Sequence, residues 1–165
     1  MSMFKLTAND AMTLHKVVTN LTRAKEAKVV DGKEVLFACK YLSKFNYFLE
    51  KSVSSLTPVV KAYEQKNMLI MAPVYKEARK MHESFADKDE NGKPIALPNG
   101  TFKVTVAADK FQEASEELEK KFEKEIKLSL ALAEEQVDIE MLPIREEYLP
   151  VLSYEVWQLI KQFIA

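Results

Sequence analysis

The chain has 165 residues, 47% apolar and 30% charged, with a formal net charge of −1. That is enough chain for one domain with a sizeable core, and the near-neutral balance excludes a general attraction to nucleic acid or acidic membranes. One cysteine, Cys39, rules out an intramolecular disulfide and suits a reducing compartment.

The charge is unevenly spread. Residues 1–66 carry 11 Lys+Arg against 6 Asp+Glu, and residues 67–165 carry 13 against 19. Two oppositely charged halves can attract one another within a chain or between copies, although helix surfaces that simply differ explain the same counts.

The first helix is expected over about residues 7–27. Thr7 can cap it, Asp10 suits its positive end, and Ala11, Leu14, Val18 and Leu21 recur at spacings of three and four. Asp31-Gly32 then marks a turn.

A second helix is expected over about 33–57, from Val35, Ala38, Leu42, Phe45, Leu49, Val53, Leu56, Val60 and Tyr63. A stripe of about four heptads, about 45 Å at about 1.5 Å per residue, is longer than one domain's core requires. It therefore predicts a homo-oligomer, with Leu42, Phe45, Leu49, Leu56, Val60 and Tyr63 at the interface. Thr57-Pro58 breaks the stripe: either the helix kinks there, or Thr57 caps a third helix over about 58–85. Pro73 leaves the first turns of that helix open.

The pattern next changes to a β-hairpin over about 94–106, turning at Asn99-Gly100. A charged helix over about 108–128 follows, carrying Glu116–Lys120, Glu117–Lys121 and Glu123–Lys127 pairs in the favourable order. Val137, Ile139 and Met141 alternate with Asp138 and Glu140, which predicts a half-buried strand over about 136–142, available to the hairpin as a third strand. Ser153 caps a last helix over about 153–164. The fold class expected is mainly α with a small antiparallel β element, a single domain built on a long helical hairpin.

Catalysis and metal binding lack their usual residues. Asp87, Asp89, Asn91 and Gly92 open like a calcium loop, but its ninth and twelfth positions fall on Ile95 and Pro98, which supply no ligand. Cys39, His15 and His82 have no zinc-ligand spacing. No sequence context activates Cys39, and the three glycines lie in turns, so there is no phosphate-cradling loop. The expectation is no enzyme, no metal and no cofactor.

Binding has better material. Lys40, Tyr41, Lys44, Tyr47 and Lys51 interleave cations with tyrosines, which suits an anionic small ligand: lysines for phosphates, tyrosines for a base. At helical spacing such aromatics are more often core, with the lysines on the wet side. Only three arginines occur, few for a chain that reads bases, so no DNA is expected.

The elements in order resemble a group of small tailed-bacteriophage and prophage proteins without an assigned activity. The matching positions are Lys44, Phe45, Tyr47, Leu49 and Lys51 on a helix, then the Asp89, Gly92, Lys93 and Pro94 turn, then Val137, Asp138, Ile139 and Glu140. The chain departs at Phe48, where similar helices often carry alanine. The resemblance implies a phage gene and a bacterial host cytoplasm, and no catalytic residue. An N-terminus without a secretory signal and an apolar run, Asn67–Tyr75, too short to span a bilayer agree with a soluble chain. The function expected is a non-catalytic binding protein acting on the host, sequestering a defence protein or a nucleotide-type immune signal. The alternative is a virion structural or assembly factor.

Overall fold

A computed structural model describes residues 1–30, 33–38, 41 and 43–165, with backbone alone for 25–30 and 33–38. The described chain is mainly helical, with two small two-stranded antiparallel sheets. Its residues group into two compact units: Met1–Glu64 with Ala133–Ala165, and Gln65–Leu132.

The first unit begins with β1 (Ser2–Thr7). Thr7 ends the strand and starts α1 (Ala8–Thr22), its hydroxyl accepting from the Asp10 amide at 3.0 Å. Ala8, Ala11, Leu14 and Val18 form the buried stripe. The helix stops five residues short of the expected end, because Lys25–Val30 is strand β2, paired antiparallel with β3 (Lys33–Ala38).

The expectation that helix begins at residue 33 is thus corrected. Val29, Val30 and Val35 are β-branched and prefer a pleated ladder. The register closes at Val30↔Lys33, the two-residue spacing that Asp-Gly favours between strands. Asp31 and Gly32 themselves lie outside the described residues, as does Cys39.

Helix α2 (Ser43–Phe85) is one helix by its hydrogen bonding, so the separate helices expected on either side of Pro58 are also corrected. The Thr57 hydroxyl does not cap a new helix; it donates back to the Val53 carbonyl at 2.7 Å. Strand β4 (Gln136–Met141) is the half-buried strand expected, but it pairs with β1 rather than with a hairpin. The pairs Phe4↔Ile139 and Leu6↔Val137 put apolar side chains opposite one another on one face. Ser153 caps α5 (Tyr154–Ile160), accepting from the Val156 amide at 3.4 Å, and a short 3₁₀ turn, Lys161–Phe163, follows.

These elements enclose one core: Leu6, Leu14, Val18, Phe45, Phe48, Leu49, Leu56, Ile139, Met141, Ile144, Ile160 and Phe163 among them. Phe4 meets Phe163 edge-on, ring centroids 4.7 Å apart. Ser52 is the one buried polar residue among those described, and its hydroxyl is satisfied by the Phe48 carbonyl at 2.7 Å.

The second unit comprises α2 from Gln65 onward, the loop 86–107, α3 (Ala108–Lys121) and α4 (Glu123–Ala133) as far as Leu132. The expected hairpin contracts to isolated bridges, Lys88↔Pro94 and Ala96↔Phe102. Pro94 and Pro98 have no amide to donate to a ladder. Asp87 takes a place in the pairing instead: its amide donates to the Lys103 carbonyl at 2.8 Å and its carbonyl accepts from Ile95 at 2.9 Å. The Asn99-Gly100 turn does form, with Gly100 at φ +80°. His82, Phe85, Phe102 and Phe111 form a ring cluster in this unit, His82 and Phe111 at 4.9 Å between centroids. Ser129 donates to Asn67 at 2.6 Å, tying α4 to α2 within this unit.

Candidate functional site

Helix periodicity builds one wall of the site. With Phe45, Phe48 and Leu49 turned into the core, Lys44, Tyr47 and Lys51 fall on another face of α2 at steps of three and four. Tyr47 is 52% exposed, and Lys51 Nζ lies 5.4 Å from its ring centroid.

The chain leaving β4 builds the other wall. Ile144 is buried and clamped by two backbone bonds: its amide donates to Phe163, and its carbonyl accepts from Ala165, both at 2.9 Å. With Ile144 fixed inward, Arg145 is carried outward. A 3₁₀ turn, Glu146–Tyr148, then returns Tyr148 to the core's edge, its amide donating to the Arg145 carbonyl at 3.0 Å.

Between the walls lies an open groove of about 370 Å³, lined by Ser43, Lys44, Tyr47, Phe48, Leu142, Pro143, Ile144, Arg145 and Tyr148. Lys44 Nζ sits 4.7 Å from the Tyr148 ring centroid and donates to its hydroxyl at 3.4 Å. The Arg145 guanidinium is 3.6 Å from the Glu147 carboxylate, and both side chains are mostly exposed. Such a pair is weak and readily exchanged for a better anion. Two cations and two tyrosines on an apolar floor can hold a phosphate and stack a flat ring.

Of the residues expected to bind a ligand, Lys44 and Tyr47 line this groove. Lys51 adjoins it through Tyr47. Tyr41 is half-buried against the core, edge-on to Phe45 at 5.3 Å, and its carbonyl accepts from Asn46. Lys40 lies outside the described residues. Arg145 and Tyr148 were missed; no local pattern ties them to Lys44, from which Tyr148 is separated by 104 residues.

Four of the six residues expected at an oligomer interface lie in the core of this unit. Phe45, Leu49 and Leu56 have no exposed surface and Val60 only 7%, because they are this unit's own core. A fully enclosed side chain has nothing left to present to a second copy. Tyr63 is half-buried, and Leu42 lies outside the described residues.

The calcium-like residues are occupied locally. Asp87 accepts from the Thr105 hydroxyl and amide and from the Val106 amide, and these bonds, the Thr105 hydroxyl foremost, hold its carboxyl below the usual range. Asp89 accepts from the Asn91 and Lys93 amides, both at 2.9 Å. Among the described residues no cluster of three His, Cys, Asp or Glu side chains could hold a metal, and no helix is long and apolar enough to cross a membrane. The chain matches no family model, no curated protein and no solved structure.

Proposed function

We propose that the chain is a non-catalytic binding protein of the bacteriophage type, which works in the host cytoplasm by sequestering an anionic, nucleotide-type signal in the groove between Lys44 and Arg145. The single observation that carries this reading is the meeting of Lys44 and Tyr47 with Arg145 and Tyr148 around one cavity of about 370 Å³. Its size falls within the range of about 300–1,000 Å³ typical of small-molecule sites.

The roles follow from the chemistry. Arg145 presents a planar fork for bidentate contact with a phosphate, and Lys44 adds a mobile point charge. Tyr47, half exposed, offers a ring face for a base. Lys44 rests on Tyr148 and can swing to an arriving anion, which replaces a weak cation–π contact by a charge-assisted bond.

A thermal-shift screen against cyclic and ADP-ribose-type nucleotides tests the reading. A rise in melting temperature that grows with ligand concentration is expected for at least one of them. No shift with any nucleotide, with recovery of a phage head or tail protein in a pull-down, would instead establish the virion-assembly role.

A further inference from the structure

A second groove in the same unit lies between α1 and α2. It has a volume of about 480 Å³ and is lined by Met12, Thr13, His15, Lys16, Thr19, Asn20, Val60 and Glu64. It shares no residue with the Lys44–Arg145 groove. Three observations bear on what it could hold.

The first is charge. Lys16 and Glu64 line the same groove, yet among the described residues neither forms an ion pair or hydrogen bond, with the other or with any neighbour. Opposite charges that face one cavity without closing on each other leave room for a ligand bearing both signs.

The second is a hydrogen-bond chain that fixes a tautomer. Thr57 has one hydroxyl proton, and it is given to the Val53 carbonyl at 2.7 Å. The same oxygen lies 3.1 Å from His15 Nε2 and can therefore only accept there, so Nε2 must carry a proton. In the neutral ring, Nδ1 is then an acceptor with no protein donor among the described residues. The third observation is Thr19, whose hydroxyl oxygen is buried without a hydrogen-bond partner among the described residues. Such an orphan is costly to leave unmade, and rotation about one side-chain bond offers it to a groove occupant.

We propose that this groove is a second binding site, for a small zwitterion of the amino-acid class. Lys16 and Asn20 receive its carboxylate, and Glu64 and His15 Nδ1 receive its ammonium. Met12 and Val60 supply the apolar floor for the carbon chain between them. No covalent step is involved.

The test is an NMR titration of the full chain with a series of ω-amino acids from glycine to ε-aminocaproate, with acetate and methylammonium as single-charge controls. The expected result is saturable shifts at His15, Lys16 and Glu64 with at least one zwitterion, and much smaller shifts with either control. Lys16→Gln and Glu64→Gln, both surface changes, should each weaken binding roughly fivefold. Long-range ring-nitrogen spectra should show His15 protonated at Nε2 before any ligand is added. The proposal is overturned if no zwitterion gives saturable shifts, if the controls match the zwitterions, or if the neutral ring carries its proton on Nδ1.

Discussion

Replacing Phe45 by alanine separates a core role from an interface role. Phe45 has no exposed surface and packs against Tyr41 at 5.3 Å and Phe48 at 6.0 Å between ring centroids. A buried phenylalanine removes about 150–250 Å² from water. At about 25 cal/mol per Å² that corresponds to about 4–6 kcal/mol as an upper value. Measured truncations of this kind cost about 3–5 kcal/mol. A loss of about 4 kcal/mol at about 2–4 °C per kcal/mol lowers the melting temperature by about 10 °C. The check is thermal unfolding followed by circular dichroism at several protein concentrations. A core residue gives this loss at every concentration. A loss below about 1 kcal/mol, or a melting temperature that rises with protein concentration before but not after the substitution, would refute the core placement and restore the interface.

Three smaller perturbations follow from the same structure. Thr7→Ala removes the acceptor for the Asp10 amide and should cost about 1 kcal/mol in urea unfolding, with an unchanged slope. Gly100→Ala forces a side chain into φ +80° although nothing lies within 4 Å of its added carbon, so a cost of about 1 kcal/mol in urea unfolding should come from backbone strain alone. Asp87 has a depressed carboxyl pKa in the folded chain, so its contribution is present above the unfolded pKa and is lost as pH falls through the folded one. Amide exchange at Thr105 and Val106 should therefore become less protected in acid, and Asp87→Asn should flatten that dependence.

What could be read from the residues depended on how local the cause was. The Thr7 cap and the Ala11, Leu14 and Val18 stripe are decided within one helix, and α1 begins where they indicate. Strand β4 announced itself through the alternation of Val137, Ile139 and Met141. Its partner did not, because β1 offers only Phe4 and Leu6 on its apolar face and pairs with residues near the other end of the chain. Val35 and Ala38 misled for another reason: their three-residue spacing extends the helical stripe of α2 backwards, and periodicity alone does not distinguish that from a short hairpin. Pro58 misled because a helix can continue through a proline when tertiary packing holds it, as the buried Leu56 and Val60 do here.

The site divides along the same line. Lys44, Tyr47 and Lys51 share a helix face by spacing, so their grouping was legible. Arg145 and Tyr148 reach them only because β4 pairs with β1 and Ile144 is clamped to Phe163 and Ala165. That placement is a property of the assembled core and leaves no trace in the segment's own composition. The buried half of the aromatic stripe was legible as apolar; its destination was not, because Phe45 and Leu49 join one core cluster with residues of β1, α1, β4 and α5 from distant parts of the chain.

The most direct test of the binding role is calorimetric titration of the chain with an ADP-ribose-type nucleotide, side by side with Lys44→Gln, Arg145→Gln and the double variant. Saturable binding is expected, weakened roughly tenfold by each single change, as befits loss of one charge-assisted contact of about 1.4 kcal/mol. The double variant should lose it altogether while keeping the melting temperature of the parent, since both side chains are exposed. No binding by the parent chain, or binding indifferent to both substitutions, would contradict the placement of the site in this groove.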